Sequence, residues 1–312
     1  MEDDSLFTAR VSARLLLDDD PESSLRGRAA DGKLNRPPAS ILRTFPTLEE
    51  SSGIWPVRIQ TLGVFSLTLN RKAVSLDSDS VRQVLEFLKA LIAFGGLEVS
   101  TQNLASALWP QIDRTVAQRS VDAMLRNLRD ILGEECVLVS PDGGISLVPD
   151  YCWVDVWEFE RTLAVTRRIL NRDFTGKDAS RLELLSSRLR NLYQGHFMTG
   201  EDATSWSVSR RERLRIRFIT HLLDAGRFWE SRGLWDRAIA CYQQGLQVDD
   251  LVEDFYQRLM VCHLVTQRIS EGLSVYLRCR NVLSTILGLQ PAAETEALYN
   301  ALARTIQGKN SA

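Results

Sequence analysis

The sequence predicts a mainly α-helical protein with a small antiparallel β component: a winged helix-turn-helix domain followed by an all-α, tetratricopeptide-like helical repeat domain. Two observations predict this fold class. Residues 57–155 read, in order, as short strands, three helices and a hairpin, which is the element order of a winged helix. Residues 156–312 show helical periodicity almost throughout and repeat at the tetratricopeptide period. We therefore divide the chain into a variable, largely disordered lead-in over 1–54, the winged helix over 55–155 and the repeat domain over 156–312.

Charge and hydropathy exclude membrane proteins and proteins that bind polyanions through their overall charge. The 38 lysines and arginines nearly balance the 40 aspartates and glutamates, so any nucleic-acid site must be local. Strongly apolar stretches such as 90–97 are far shorter than the roughly 18 residues of a membrane span, and the acidic start is no signal peptide. We expect no membrane partner and a cytoplasmic, nucleoid-associated protein.

The sequence holds no pattern typical of catalysis, of metal binding or of nucleotide binding. Five cysteines, an odd number without a Cys-x-x-Cys pair, indicate small buried apolar residues rather than disulfides or a zinc site. The three histidines lack metal-ligand spacing, and neither a glycine-rich phosphate loop nor a Gly-x-Ser-x-Gly elbow is present. We therefore predict no enzyme, no catalytic residues, no cofactor and no metal.

The lead-in combines acidic, glycine-rich and proline-containing stretches at 18–21, 27–32 and 37–38, after one short apolar patch at 11–17. Such a composition disfavours helix and cannot build a core. We interpret it as a linker or tail, with a docking segment for a larger partner as the alternative.

The winged-helix segment begins with alternating apolar residues and continues with three helical patterns. Alternation predicts strands at 57–61, 64–69 and 74–76. The first helix is predicted from Ser80 until Gly95 and Gly96 stop it, the second from Thr101 to Trp109 before Pro110, and the third from Thr115 to Leu132 before Gly133. Ser80 with Gln83, and Thr115 with Gln118, have the spacing of capping boxes. Apolar runs at 137–139 and 145–148 flank a Pro-Asp-Gly-Gly turn and predict the hairpin that forms the wing.

The third helix presents two different faces. One arc of about 120° is apolar and is predicted to face the core: Val121, Met124, Leu125, Leu128, Ile131 and Leu132. The opposite arc is mainly cationic and amide-bearing: Arg119, Ala123, Arg126, Asn127 and Asp130, with Asp122 and Arg129 on one shoulder. Arginine pairs with phosphate or guanine, asparagine with adenine, and alanine permits close approach to a thymine methyl. The alternative is an ordinary amphipathic helix with a solvated polar face. Because this helix is the third helix of a winged helix, which is the one that contacts DNA bases, the pattern favours DNA binding.

This part of the chain resembles the OmpR/PhoB-type winged helix of bacterial activators over about 57–155. The resemblance rests on these residues: Leu104, Ala105, Leu108, Trp109, Pro110, Arg119, Ser120, Val121, Asp122, Leu125, Arg126, Asn127, Leu128 and Arg129. It implies that Ala123 and Asn127 enter the major groove and that Arg119, Arg126 and Arg129 meet phosphates. Arg114 and Thr115 complete the predicted DNA-binding set. The wing tip departs from the pattern, since it carries Asp142 and no cation.

The C-terminal segment repeats with the tetratricopeptide period. Ala238, Ile239 and Tyr242 recur 34 residues later as Gly272, Leu273 and Tyr276. The small residue allows two helices to approach closely and the aromatic ring fills the space beside it. We predict seven helices, near 156–171, 178–193, 207–231, 234–247, 251–266, 270–287 and 292–306.

Further residues resemble the bacterial transcriptional activator domain of SARP-type (antibiotic-regulatory) activators, which is similar to the C-terminal part of MalT-like regulators. They are Leu192, Tyr193, Gln194, Gly195, Phe197, Gly200, Glu201, Asp202, Trp206, Arg211, Glu212, Arg213, Leu214, Leu287, Gly288, Leu289, Pro291, Glu294, Thr295, Leu298 and Tyr299. The resemblance implies a transcriptional activator that binds direct repeats in double-stranded promoter DNA. Its helical domain would form a homodimer and contact RNA polymerase.

Two other functions stay open at this point. One is a tetratricopeptide interaction or scaffold protein whose winged helix binds protein, and the other is an accessory subunit of an enzyme. A separate alternative concerns the five arginines within 210–217. They form either a solvated face or a second contact with phosphate or polymerase. A steep salt dependence of binding would distinguish DNA from a protein partner.

Overall fold

The computed structural model describes residues 55–74, 79–171, 176–200 and 204–310. From residue 55 onward these form one compact unit. The larger of two apolar clusters in the described residues runs from Val57 in the first strand to Leu283 and includes the buried rings of Phe87, Phe159 and Phe255. The predicted lead-in over 1–54 lies outside the described residues.

The predicted elements follow one another in the predicted order, and two short strands that were not predicted, 99–100 and 152–154, are added. The strands are β1 (Val57–Gln60), β2 (Ser66–Leu69), β3 (Lys72–Ala73), β4 (Val99–Ser100), β5 (Val137–Val139), β6 (Gly144–Leu147) and β7 (Cys152–Val154). The helices are α1 (Asp79–Ala93), α2 (Thr101–Leu108), α3 (Arg114–Leu132), α4 (Asp155–Leu170), α5 (Gly176–Leu192), α6 (Ser205–Glu230), α7 (Trp235–Val248), α8 (Glu253–Val265), α9 (Ile269–Leu287) and α10 (Ala293–Asn310).

A four-stranded sheet in the order β3-β2-β1-β7 begins the winged helix. β1, β2 and β3 pair antiparallel, as the alternation predicts. The third strand starts at Lys72, earlier than predicted, because Asn70 and Arg71 adopt positive φ angles of 48° and 68° and close the turn at once. Residues 75–78, where the prediction placed the end of this strand, are outside the described part. β7 adds a parallel pairing with β1 that no local pattern predicts.

The three helices and the wing follow. α3 begins after Asp113, whose carboxylate accepts a hydrogen bond from the Thr115 backbone N–H at 2.9 Å. The predicted capping box at Thr115 and Gln118 is therefore wrong, because the N-cap lies two residues earlier. α3 ends at Leu132 and is followed by Gly133, as predicted, which has a φ of 106°. A short 3-10 turn over Glu134–Cys136 leads into β5, which pairs with β6 to form the wing.

The winged helix is joined firmly to the helical region by a buried carboxylate. Asp155, the first residue of α4, accepts hydrogen bonds from the Thr61 backbone N–H at 2.7 Å and the Thr61 hydroxyl at 2.6 Å. It also accepts from the backbone N–H groups of Leu62 at 2.8 Å and Val156 at 2.7 Å. The end of β1 and the start of the helical region are thus held by one side chain.

A second connection forms between the loop after β1 and the loop after α5. The Met198 N–H donates to the Thr61 carbonyl at 2.7 Å, and the Thr199 N–H donates to the Gly63 carbonyl at 2.8 Å. Arg211 of α6 then binds the carbonyls of Phe197 and Met198 at 2.9 and 3.0 Å. These hydrogen bonds join the winged helix to the helical region at a second place.

All seven helices predicted for residues 156–312 are present, with ends shifted by at most four residues. Consecutive helices approach closely where a glycine faces a ring. A Cβ on Gly226 would lie 2.2 Å from the Tyr242 ring, and one on Gly245 would lie 2.2 Å from the Phe255 ring. Gly272, the small residue of the second repeat, similarly faces Leu302 and His263. The close approach expected at the small residue is confirmed for Gly272, and it also occurs at Gly226 and Gly245, outside the 34-residue match.

We predict that a buried histidine makes the protein less stable in mild acid. Burial lowers the pKa of His221 to about 4, and Arg190 adds to the effect. Below the ordinary histidine pKa of about 6.5 the unfolded chain takes up a proton that the folded chain does not. The free energy of unfolding should therefore fall by up to about 3 kcal/mol between pH 6.5 and pH 4.

Urea unfolding of the wild type and of His221→Leu, each at pH 7.5 and 4.5, measures this contribution. The variant keeps an apolar side chain in the site and should lose part of the pH dependence. Burial also lowers the pKa of His196 and His263, which act in the same direction, and raises the pKa of Asp155 and Asp224, which act in the opposite direction. An unchanged slope in His221→Leu would show that this side chain is not the cause.

Candidate nucleic-acid interface

The two faces of α3 lie as the sequence predicts. The apolar arc packs into the core, with Val121, Leu125, Leu128 and Leu132 buried and Met124 and Ile131 half-buried. On the opposite side Arg119, Arg126 and Asn127 are exposed and Ala123 is half-buried. The helix therefore presents its cationic and amide side chains to solvent.

Arg119, Arg126 and Asn127 are free to meet a ligand. Within the described residues, no hydrogen bond or ion pair engages their side chains. With Ala123 between them, they form a surface whose chemistry suits base edges and phosphates.

The start of α3 is more constrained. The Arg114 guanidinium donates to the Gln102 side-chain oxygen at 3.0 Å, which links α3 to α2. The Thr115 backbone N–H is used by the Asp113 cap, while its side chain is exposed. Both predicted residues lie on the surface, and Arg114 could reach a phosphate only by exchanging its contact with Gln102.

Arg129 does not share the outward direction of the other predicted residues. Its Nε and Nη2 donate to the Val137 carbonyl of β5 at 3.3 and 3.2 Å. Its Nε also lies 3.5 Å from the Glu134 carboxylate. The structure thus brings together Arg119, Ala123, Arg126 and Asn127 but directs Arg129 towards the wing.

Val116 belongs to the outward surface and was missed by the sequence reasoning. Its side chain is 49% exposed, although it is apolar and sits in the first turn of α3. At 100° per residue it lies on the same side as Ala123 and Asn127. The same 100° spacing, extended to the first turn of the helix, predicts this exposure from the sequence. We call Val116, Arg119, Ala123, Arg126 and Asn127 the outward face.

The charge on this side of the protein is balanced rather than strongly positive. Asp122 and Asp130 are exposed next to the outward face, and Asp142 is exposed at the wing tip. The wing strand β5 exposes two apolar side chains, Leu138 and Val139. The surface can therefore offer a few directed cationic contacts but no broad electrostatic attraction.

The arginine-rich run on α6 is mostly engaged inside the protein. Arg210 and Arg217 both bind Glu160 at 2.7 Å, and Arg215 binds Glu212 and Asp249. Arg211 holds the backbone carbonyls after α5. Arg210, Arg211 and Arg215 are thus engaged within the protein, while Arg213 and Arg217 are exposed.

The cysteines and the potential metal ligands offer no second candidate site in the described part of the chain. All five cysteines are buried, as predicted, and burial raises the pKa of each thiol. The described residues hold no cluster of three or more histidine, cysteine or acidic side chains suited to a metal ion. None of the described helices combines the length and apolarity needed to cross a bilayer.

Comparison with known proteins identifies the family of the C-terminal region. Residues 154–303 match the bacterial transcriptional activator domain. The chain is also 24% identical over 265 residues to the transcriptional regulatory protein MoaR1 of Mycobacterium bovis BCG and of Mycobacterium tuberculosis, covering 80% of this chain and 80% of each relative. These matches identify residues 154–303 as similar to a bacterial transcriptional activator domain and the chain as similar to transcriptional regulators.

A solved structure shares the fold of this chain. Mycobacterium tuberculosis EmbR, determined in complex with a low-affinity phosphopeptide, aligns with a TM-score of 0.58 over 80% of this chain at 18% identity. The present chain spans 65% of the EmbR chain. The likeness agrees with a winged helix-turn-helix followed by a helical domain. The domain boundaries at 54/55 and 155/156 stay predictions.

Proposed function

We propose that this protein is a transcriptional regulator of the SARP type, which binds double-stranded promoter DNA through the outward face of α3. The observation that carries the proposal is the set of free polar side chains, Arg119, Arg126 and Asn127, on the third helix of a winged helix. In helix-turn-helix proteins this helix enters the major groove. DNA is the polyanion whose groove admits such a helix and whose base edges suit these side chains.

The positions on the outward face suggest a division of roles. Asn127 suits a bidentate contact with adenine, while Ala123 and the exposed Val116 suit thymine methyl groups. Arg119 and Arg126, nearer one edge of the face, suit phosphates. Arg114, Thr115 and Arg129 complete the predicted set, although Arg114 and Arg129 already have partners within the protein.

A single winged helix of this kind should bind weakly at physiological salt. It offers only a few uncommitted cations, and the exposed acids Asp122, Asp130 and Asp142 oppose them. Two tethered copies would overcome this limit, because the second binding event becomes intramolecular. The proposal therefore includes a homodimer of head-to-tail protomers on direct repeats about one helical turn apart. The helical domain would supply both the dimer contact and the contact with RNA polymerase that makes the protein an activator.

One observation favours a second candidate function. Leu138 and Val139 expose apolar surface on the wing, where a DNA-binding wing would present cations. A winged helix that binds protein, in an interaction or scaffold protein, would use such a surface. The two functions differ in salt dependence, since each phosphate contact contributes about −0.9 to the slope of log affinity against log salt.

Two substitutions on the outward face should have different effects on DNA binding. Arg126→Ala should weaken binding to all duplexes and reduce the salt slope by about one, because the side chain is assigned to a phosphate. Asn127→Ala should cost about 1–3 kcal/mol on the best site and little on other sequences, because it is assigned to a base. The best site is first selected from a random duplex pool at physiological salt, and anisotropy titrations at several salt concentrations then measure both effects.

Arg213→Ala is the matched control, since this exposed arginine on α6 lies outside the proposed interface. It should leave affinity and slope unchanged. Wild-type affinity and slope in both Arg126→Ala and Asn127→Ala would refute the assignment of α3. Failure of the wild type to bind any duplex would instead favour the protein-binding alternative.

A further inference from the structure

Arg129 connects the last turn of α3 to the wing. Its Nε and Nη2 both reach the Val137 carbonyl oxygen, at 3.3 and 3.2 Å, and the Glu134 carboxylate lies 3.5 Å from Nε. The side chain is only 26% exposed. One guanidinium thus contacts the strand that begins the wing and the turn that leads to it.

The Val137 carbonyl lies at the open edge of the wing sheet. The strand order is β4-β6-β5, so β5 forms one edge. Cys136 accepts a hydrogen bond from Val148, and Ser140 donates to Gly144, so these positions face β6. Because backbone groups alternate along an antiparallel strand, those of Val137 point away from β6. Arg129 therefore occupies the place that a neighbouring strand would take.

We propose that Arg129 is a positioning residue, which fixes the wing relative to α3, rather than a phosphate contact. The proposal rests on the proposed DNA binding, in which α3 and the wing meet the same duplex. Glu134 offsets the charge of Arg129, and the two donors on Val137 require the planar guanidinium fork. A wing held in place before binding loses less conformational entropy when the complex forms.

Arg129→Lys separates the two roles, because lysine keeps the charge but cannot form the fork. If Arg129 positions the wing, both Arg129→Ala and Arg129→Lys should lower affinity for the selected site by about tenfold and leave the salt slope at the wild-type value. Arg126→Ala is the matched control and should reduce the slope by about one.

Hydrogen exchange gives a readout that does not depend on DNA. In the free full-length protein, the backbone amides of β5 and β6 should exchange about tenfold faster in both Arg129 variants than in the wild type, while those of α6 stay unchanged.

Two results would overturn the proposal. One is a salt slope reduced by about one in Arg129→Ala and restored in Arg129→Lys, which would identify a phosphate contact. The other is wild-type exchange in the wing of both variants, which would show that the wing does not need this side chain. If the wild type binds no duplex, the proposed function fails, and the exchange measurement still decides whether Arg129 holds the wing.

Discussion

Inserting five base pairs between the two direct repeats of the selected site is expected to weaken binding of the intact protein by about 10²–10⁴-fold. Half a helical turn moves the second repeat to the opposite side of the duplex, so a dimer engaged with one repeat cannot reach the other. Anisotropy titrations at fixed physiological salt measure the loss. A ten-base-pair insertion is the matched control. It adds nearly a full turn, so both repeats again lie on the same side of the duplex, and much of the affinity should be recovered.

The expected effect is large because the joint between the winged helix and the helical region leaves little room for adjustment. Asp155 binds Thr61 and Leu62, and the loop after α5 pairs with the loop after β1. A dimer formed through the helical domain would therefore present its two α3 helices at a fixed spacing. Equal affinity for sites with five and ten added base pairs would show that the protomers are not held in a fixed register on DNA.

Gly226→Ala is expected to destabilise the protein by about 3 kcal/mol. The new Cβ would lie 2.2 Å from Cε1 and 2.4 Å from Cζ of Tyr242, whose side chain is fully buried. The ring cannot move aside easily, because its hydroxyl donates to Glu230 at 2.6 Å and Arg258 binds the same carboxylate. Urea unfolding at pH 7.5 measures the change in the free energy of unfolding.

A double-mutant cycle tests the cause of this loss. Tyr242→Leu removes the ring atoms that the new methyl group would meet, so Gly226→Ala should cost less than about 1 kcal/mol in that background. If the two substitutions are additive, the ring contact is not the reason for the glycine.

Much of the fold could be predicted because its helices are long and their apolar periodicity is local. α3, for instance, is marked by a buried residue every three or four positions and ends before Gly133, which has a positive φ. Short elements carry too few residues for such a pattern. β4 has two residues and β7 has three, and each exists because a distant strand pairs with it. The start of α3 was misplaced because Thr115 and Asp113 are both good caps, and only the chain path chooses between them.

Part of the candidate interface could also be predicted from local helix geometry. The outward direction of Arg119, Arg126 and Asn127 follows from 100° per residue and from the position of the apolar arc. Arg129 lies on the shoulder between the two arcs, where helix geometry does not decide between solvent and a neighbouring element. In the folded protein β5 lies beside α3, and its Val137 carbonyl accepts the hydrogen bond that orients the Arg129 side chain.

By itself, the sequence determined which segments are helical and which faces of those helices are apolar, since both depend on neighbours a few positions along the chain. Only the tertiary structure decided which polar side chains remain free. Arg126 and Arg215 are chemically identical, yet Arg126 is left exposed while Arg215 is bound by Glu212 and Asp249. A long charged side chain reaches acceptors several ångströms from its own helix, so its availability depends on residues that folding brings together from distant parts of the chain.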